Sequence, residues 1–128
     1  RYGELPAPAR RDEGLRWTGP PRWVRDEDLQ RVVNWVSTRT ERNAALAHAQ
    51  PWPFTFFTAR PAVLMPKTLT EPRLRDFLIE YRVAYYLFDG RDRERRHYRD
   101  WLDDLEPAGV SVTTLGAYRV YDTRPLWQ

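Results

Sequence analysis

Apolar residues along this chain fall into short blocks whose period switches between helix-like and strand-like. Leu29, Val32, Val33 and Val36 recur at i, i+3, i+4 and i+7, which is one face of a helix. Asp26 stands just before them, where its carboxylate can accept from the unpaired amides of a first turn. The spacing therefore predicts a helix running to about Thr38. After a polar turn, Ala44–Ala49 reads as a buried strand, although alanine is a weak strand former. Pro51 and Pro53 break the chain, Trp52–Thr58 reads as a short helix, and Ala62–Met65 as a second strand. Thr70, followed by Glu71 and Pro72, is placed to cap a third helix with an apolar face of Leu74, Phe77, Leu78 and Tyr81. Val83–Phe88, dense in aromatic and β-branched residues, is the clearest strand. A fourth helix is expected from Asp92, with Tyr98, Trp101, Leu102 and Leu105 on one face and Pro107 and Gly109 as its stop. Val110–Leu115 alternates as a half-exposed strand. Gly116-Ala117 then turns the chain into Tyr118–Asp122, closing a hairpin.

Helices and strands thus alternate until the final pair of strands. That order implies an α/β fold: a small, Rossmann-like, mostly parallel sheet flanked by helices, with a C-terminal antiparallel hairpin at its edge. Residues 26–128 read as a single α/β domain. Residues 1–25, with Pro6, Pro8, Pro20, Pro21 and five arginines among the first 22 positions, read as a linker or irregular arm anchored by Trp17 and Trp23.

The 128 residues suffice for a proper core, and 41% apolar with 30% charged residues is ordinary for a globular chain. No apolar run approaches the roughly 18 residues of a membrane span. The first residue is Arg1 rather than Met, so the chain is expected to be a fragment or a processed product of something longer. The net charge of +3 is a weak signal for an anionic partner. All of the 21 basic residues except Lys67 are arginine, which fits codon bias better than a nucleic-acid surface. Nucleic acid is not an expected partner. The absence of cysteine excludes disulfides, thiolate catalysis and Cys-based zinc sites.

Candidate chemistry is sparse. In open α/β sheets, ligands bind beyond the carboxyl ends of the strands. Those ends carry His48 and Gln50 on the first strand, and Asp89, Gly90 and Arg91 on the third. If the two strands are neighbours, His48, Gln50, Asp89 and Arg91 share a crevice suited to a small anion or a sugar. The plain alternative is a hydrogen-bonded strand-end histidine and an Asp-Gly turn. Arg60 is equally open: it can cap the short helix through its carbonyls, stack on Trp52, or hold a phosphate or sugar. The first strand-to-helix turn, Gln50-Pro51-Trp52-Pro53, has no glycine and two residues without N–H, which disfavours a nucleotide. No cofactor is expected. His48 and His97 fall on different elements without a metal-binding spacing, so no metal site is expected either. The serines, Ser37 and Ser111, lie in a helix and an edge strand, not on a nucleophile elbow. The run Asp92–Arg96 reads as a solvated helix surface, with lipid headgroups as a conceivable contact. No catalytic residue emerges.

One segment carries more. Pro51–Pro66 (PWPFTFFTARPAVLMP) packs Trp52, Phe54, Phe56 and Phe57 into six positions and reads as a buried connection between two strands. It includes Thr58-Ala59-Arg60-Pro61-Ala62-Val63 and closes on Pro66; Tyr85-Tyr86-Leu87 follows later. With the preceding amphipathic helix, this pattern resembles the C-terminal soluble domain of bacterial dolichyl-phosphate-mannose–protein mannosyltransferase-like membrane glycosyltransferases. There a "TGRPAV…P" segment follows a strand and an aromatic helix; here Ala59 stands where glycine is usual. The similarity spans residues 26–122, and its motifs mark a fold rather than a reaction. The resemblance implies a parent protein that transfers a sugar from a polyprenyl-phosphate carrier on the extracytoplasmic face of the membrane. The family's catalytic acids lie in a loop outside this chain. The chain would then be an accessory domain, not catalytic by itself, with its own transmembrane region, an acceptor protein or glycan, and lipid headgroups as expected partners.

Overall fold

A computed structural model describes residues 26–128. The arm expected over residues 1–25, with Trp17 and Trp23, lies outside the described residues. Among these the α-helices and strands run α1 (Glu27–Arg39), β1 (Ala45–His48), α2 (Trp52–Thr58), β2 (Ala62–Leu64), α3 (Glu71–Glu80), β3 (Val83–Asp89), α4 (Arg96–Asp103), β4 (Ser111–Leu115) and β5 (Tyr118–Asp122). The sheet order is β2-β1-β3-β5-β4. β1 runs parallel to both β2 and β3, whereas β5 is antiparallel to β3 and β4. The result is a mixed α/β fold with a three-strand parallel core and an antiparallel hairpin at one edge. The chain leaves β1 to one side to make β2 and returns on the other side to make β3, so the strand order reverses between β1 and β3.

Alternation along the strands fills both faces. Tyr86 and Phe88 of β3 join Ala47 and Tyr121 under Leu74 and Leu78 of α3 and Tyr98 and Leu102 of α4. Tyr85 and Leu87 face the other way, with Leu46, Tyr118 and Val120, under Leu29, Val32 and Val36 of α1 and Phe54 of α2. β3 is buried on both faces, which is why its sequence reads as one apolar run. The edge strand β4 is polar and largely exposed, which discourages pairing with another chain.

Asp26 caps α1 as its sequence position suggests, accepting from the amides of Asp28 and Leu29 at 3.1 and 3.2 Å. Asp28 of α1 in turn accepts from Ala117 N–H at 3.1 Å, tying the hairpin turn to the helix. Gly116 is required there: it has φ +61°, and a Cβ would come within 2.1 Å of the Asp28 carboxylate.

Three expectations need correction. The aromatics of α2 do not form a buried connection: only Phe54 is enclosed, whereas Trp52, Phe56 and Phe57 are 53%, 70% and 43% exposed. A seven-residue helix against a sheet has one inward face, and four aromatics in six positions cannot all lie on it. α4 begins at Arg96, not Asp92. Asp92 accepts from the amides of Glu94 and Arg95 at 3.0 and 3.3 Å, which closes a tight turn ahead of the helix. Thr70 occupies the N-cap of α3, but its side chain makes no capping bond.

The end of α2 carries a conformational cost. Ala59 closes the helix in the left-handed region, φ +57° and ψ 29°. A Cβ there costs about 1–2 kcal/mol, against an unfolded-state penalty of roughly 0.4–1 kcal/mol for glycine. Ala59→Gly is therefore expected to stabilise the protein by about 0.5–1 kcal/mol in urea unfolding. A loss of stability would show that Ala59 makes contacts worth more than the backbone strain.

Candidate functional site

The neighbouring parallel strands β1 and β3 bring their carboxyl ends together at the point where the strand order reverses, the usual ligand position in open α/β sheets. A cavity of about 610 Å³ opens there. His48, Gln50, Asp89 and Arg91 all line it, so four of the residues singled out by sequence meet as expected. Arg60 does not join them. It precedes β2, at the opposite end of the parallel strands, and its guanidinium is buried among backbone carbonyls.

Additional lining residues come from elements whose sequence gave other signals. Asp26 reads as a helix cap, and it is one, but its second oxygen accepts from Arg91 Nη2 at 2.8 Å. Arg91 also forks onto Asp89, with Nε donating to Oδ1 at 2.9 Å and Nη2 to Oδ2 at 3.2 Å. The guanidinium lies 5.6 Å from the centroid of the Tyr118 ring. Arg95, from the run read as a solvated surface, is buried instead. Its Nε donates to Met65 O at 2.8 Å and its Nη1 pairs with Asp92 at 2.9 Å. Lys67 and Glu94 pair at 3.3 Å across the exposed rim. Nothing in the local pattern distinguishes Arg95 from its neighbours Arg93 and Arg96; the turn closed by Asp92 selects it.

His48 sits at the floor, 5% exposed. Its ring packs edge-on to Phe54 at 4.6 Å and stacks on Tyr118 at 5.8 Å. The Gln50 amide donates to Nδ1 at 2.7 Å, which requires a lone pair there and leaves the proton of the neutral ring on Nε2. That Nε2 is buried and has no hydrogen-bond partner among the described residues. Burial pushes the imidazole down to about 4, although Gln50 O, 3.0 Å from Nδ1, offers some help to the charged form. His48 is therefore neutral near pH 7.

The other shifts share one logic. Burial would raise Asp26, but the hydrogen bonds from Arg91 and from the Leu29 amide hold it below its usual range. Arg91 is raised, first by its hydrogen bond to Asp89. Burial raises the Tyr118 phenol. The site thus keeps Asp26 and Arg91 ionised and its histidine uncharged, an arrangement that can hold a ligand by hydrogen bonds and ring contact. Among the described residues no cluster of histidine and carboxylate side chains is arranged to hold a metal ion. His97 lies instead on α4, against the rings of Tyr98 and Trp101.

This arrangement defines a mixed α/β protein with a polar crevice at the carboxyl ends of its parallel strands. No protein-family model matches the chain, and no curated protein matches it. No helix among the described residues is long and apolar enough to cross a membrane.

Proposed function

We propose that the chain is the extracytoplasmic C-terminal accessory domain of a polyprenyl-phosphate-sugar-dependent membrane glycosyltransferase-like protein, with a small Rossmann-like fold and no catalytic activity of its own. The observation that carries this reading is the backbone at Ala59. The resemblance places a customary glycine at that position, and the position has the left-handed φ of +57° that glycine serves best. A pattern remote in sequence thus agrees with a backbone requirement at a single residue. The adjoining Arg60 supports the same reading, because it joins the ends of α1 and α2 and gives the segment a structural reason to persist. The outward ridge of Trp52, Phe56 and Phe57 is the face assigned to contact with the parent's own transmembrane region and the adjacent lipid headgroups.

Topology of the natural full-length protein tests this. Ser111 lies on the exposed edge strand, and the chain has no cysteine of its own. In the full-length protein carrying Ser111→Cys, a membrane-impermeant maleimide is expected to label that position in intact cells. The protein is also expected to stay in the membrane fraction after carbonate extraction. Labelling only after permeabilisation, or recovery in the soluble fraction, overturns the reading.

A second reading, a freestanding α/β module that binds a small anion or sugar, is favoured by one specific observation: a crevice with His48 Nε2 lacking a hydrogen-bond partner at its floor. The two readings differ in what the domain is attached to, and both leave the crevice as the place where it would bind.

A further inference from the structure

We propose that the crevice between β1 and β3 binds a neutral, oxygen-rich ligand of the carbohydrate class, one oxygen of which accepts a hydrogen bond from His48 Nε2–H. The proposal rests on the reading of the crevice as a binding site and chooses between the two ligand classes that reading allows.

The case begins with His48. A buried N–H without a partner is costly, and native proteins seldom leave one in place without a reason. The ring is held between Phe54 and Tyr118, and its other nitrogen is taken by the Gln50 amide. Its unmet requirement is for an acceptor, which a hydroxyl, ring or glycosidic oxygen supplies once the atoms covering Nε2 give way, because that nitrogen has almost no exposed surface.

Charge then decides the class. Arg91 is committed to Asp89 and Asp26, Arg95 to Asp92, and Lys67 to Glu94. Among the described residues three cations facing four carboxylates leave the lining with a net negative charge. An incoming phosphate or carboxylate would have to displace a carboxylate from its arginine and meet that surplus. A hydroxylated ligand does neither: it can add hydrogen bonds to carboxylate oxygens already oriented by arginine, and its apolar face can rest on a ring. At about 610 Å³ the cavity falls within the roughly 300–1,000 Å³ typical of small-molecule sites.

The test is a side-chain histidine 1H–15N NMR titration of the 128-residue chain at pH 7, with methyl glucoside, maltose, myo-inositol and sodium phosphate in separate arms. We expect saturable shifts of the His48 resonances with a saccharide, in roughly the millimolar range, and no response to phosphate. His97, on α4 and outside the crevice, serves as the internal reference. A larger response to maltose than to inositol assigns the site to glycans; the reverse assigns it to free polyols; either supports the proposal. His48→Phe keeps a ring but removes the N–H, and should weaken saccharide binding by about tenfold or more. Should that variant fail to fold, the wild-type His48 shifts decide the matter alone. His48 resonances unmoved by every neutral probe, as when a water alone meets Nε2, or moved by phosphate in competition with saccharide, overturn the proposal. Membrane attachment is read by the maleimide experiment, so failure of either reading is visible separately.

Discussion

Replacing Arg60 with methionine is expected to destabilise the protein by about 2–4 kcal/mol, because hydrogen bonds from a charged donor are worth roughly 1.5–3 kcal/mol each and several buried acceptors would lose theirs together. Arg60 is 6% exposed, and its guanidinium reaches three stretches of backbone. Nη1 donates to Thr58 O at 2.7 Å, Nη2 to Thr40 O at 2.7 Å, and Nε to Thr40 Oγ1 and Glu41 O at 3.1 and 3.2 Å. A longer contact of 3.5 Å joins Nη2 to Ser37 O. These carbonyls lie at the carboxyl ends of α1 and α2 and in the turn leaving α1. The last carbonyls of a helix lack intrahelical donors, and its dipole places partial negative charge there. One fork of donors therefore closes two helix ends at once. Methionine fills much of the volume and leaves those acceptors buried and unmet. Lysine keeps the charge but cannot span both ends, so Arg60→Lys should recover less than half of the loss. Urea unfolding followed by circular dichroism measures both variants. A cost below about 1 kcal/mol for Arg60→Met would mean that water replaces the guanidinium freely. Because Arg60 sits at the opposite end of the sheet from the crevice, Arg60→Lys should leave saccharide binding intact wherever the protein remains folded.

Stability is expected to fall by about 3 kcal/mol as the pH is lowered from 7 toward 4, on account of His48 alone. Burial lowers its pKa from the ordinary 6.5 to about 4 in the folded protein. Between those values the unfolded chain binds a proton that the folded chain refuses, so acid favours unfolding. The contribution is complete above about 6.5, declines through the window, and is exhausted near 4. Asp26, lowered from 3.8, acts in the same direction but at lower pH, where its carboxylate protonates and releases Arg91. His48→Asn removes the titrating ring, so its stability should be nearly flat between pH 6.5 and 4.5 even if it is lower throughout. Equal urea midpoints for the wild type at pH 7 and pH 4.5 would show that the imidazole charges without unfolding the protein, with solvent reaching Nε2.

Periodicity made much of this fold legible. The i, i+3, i+4, i+7 face of α1 buries Leu29, Val32 and Val36 as its spacing requires, and the apolar run of β3 is enclosed on both faces. β5 and the Gly116-Ala117 turn fall where the pattern places them. The start of α4 was harder to read than those of the other helices. Asp92 followed by charged residues looks like an N-cap, yet an Asx-type turn and a helix cap begin with the same side-chain hydrogen bond, and only the path of the chain toward Met65 separates them. α2 falls at the bounds its sequence predicts, Trp52–Thr58, but the burial of its aromatics does not, for a related reason. Aromatic density shows that apolar surface is present, not which way it faces.

The crevice divides in the same way. The sequence determined that His48, Gln50, Asp89 and Arg91 stand at strand ends, because alternation and turn chemistry are local properties. The left-handed conformation of Ala59 was not legible there; it comes from the way the chain leaves α2 to enter β2. Tertiary structure alone decided that Asp26 completes a carboxylate–arginine–carboxylate bridge across 65 residues of chain, that Arg95 rather than Arg93 is buried, and that Arg60 joins two helix ends instead of facing a ligand. Those outcomes depend on which distant backbone groups arrive beside a side chain. A guanidinium binds whichever acceptors lie within reach, and the packing of α1, α2 and the sheet sets that reach.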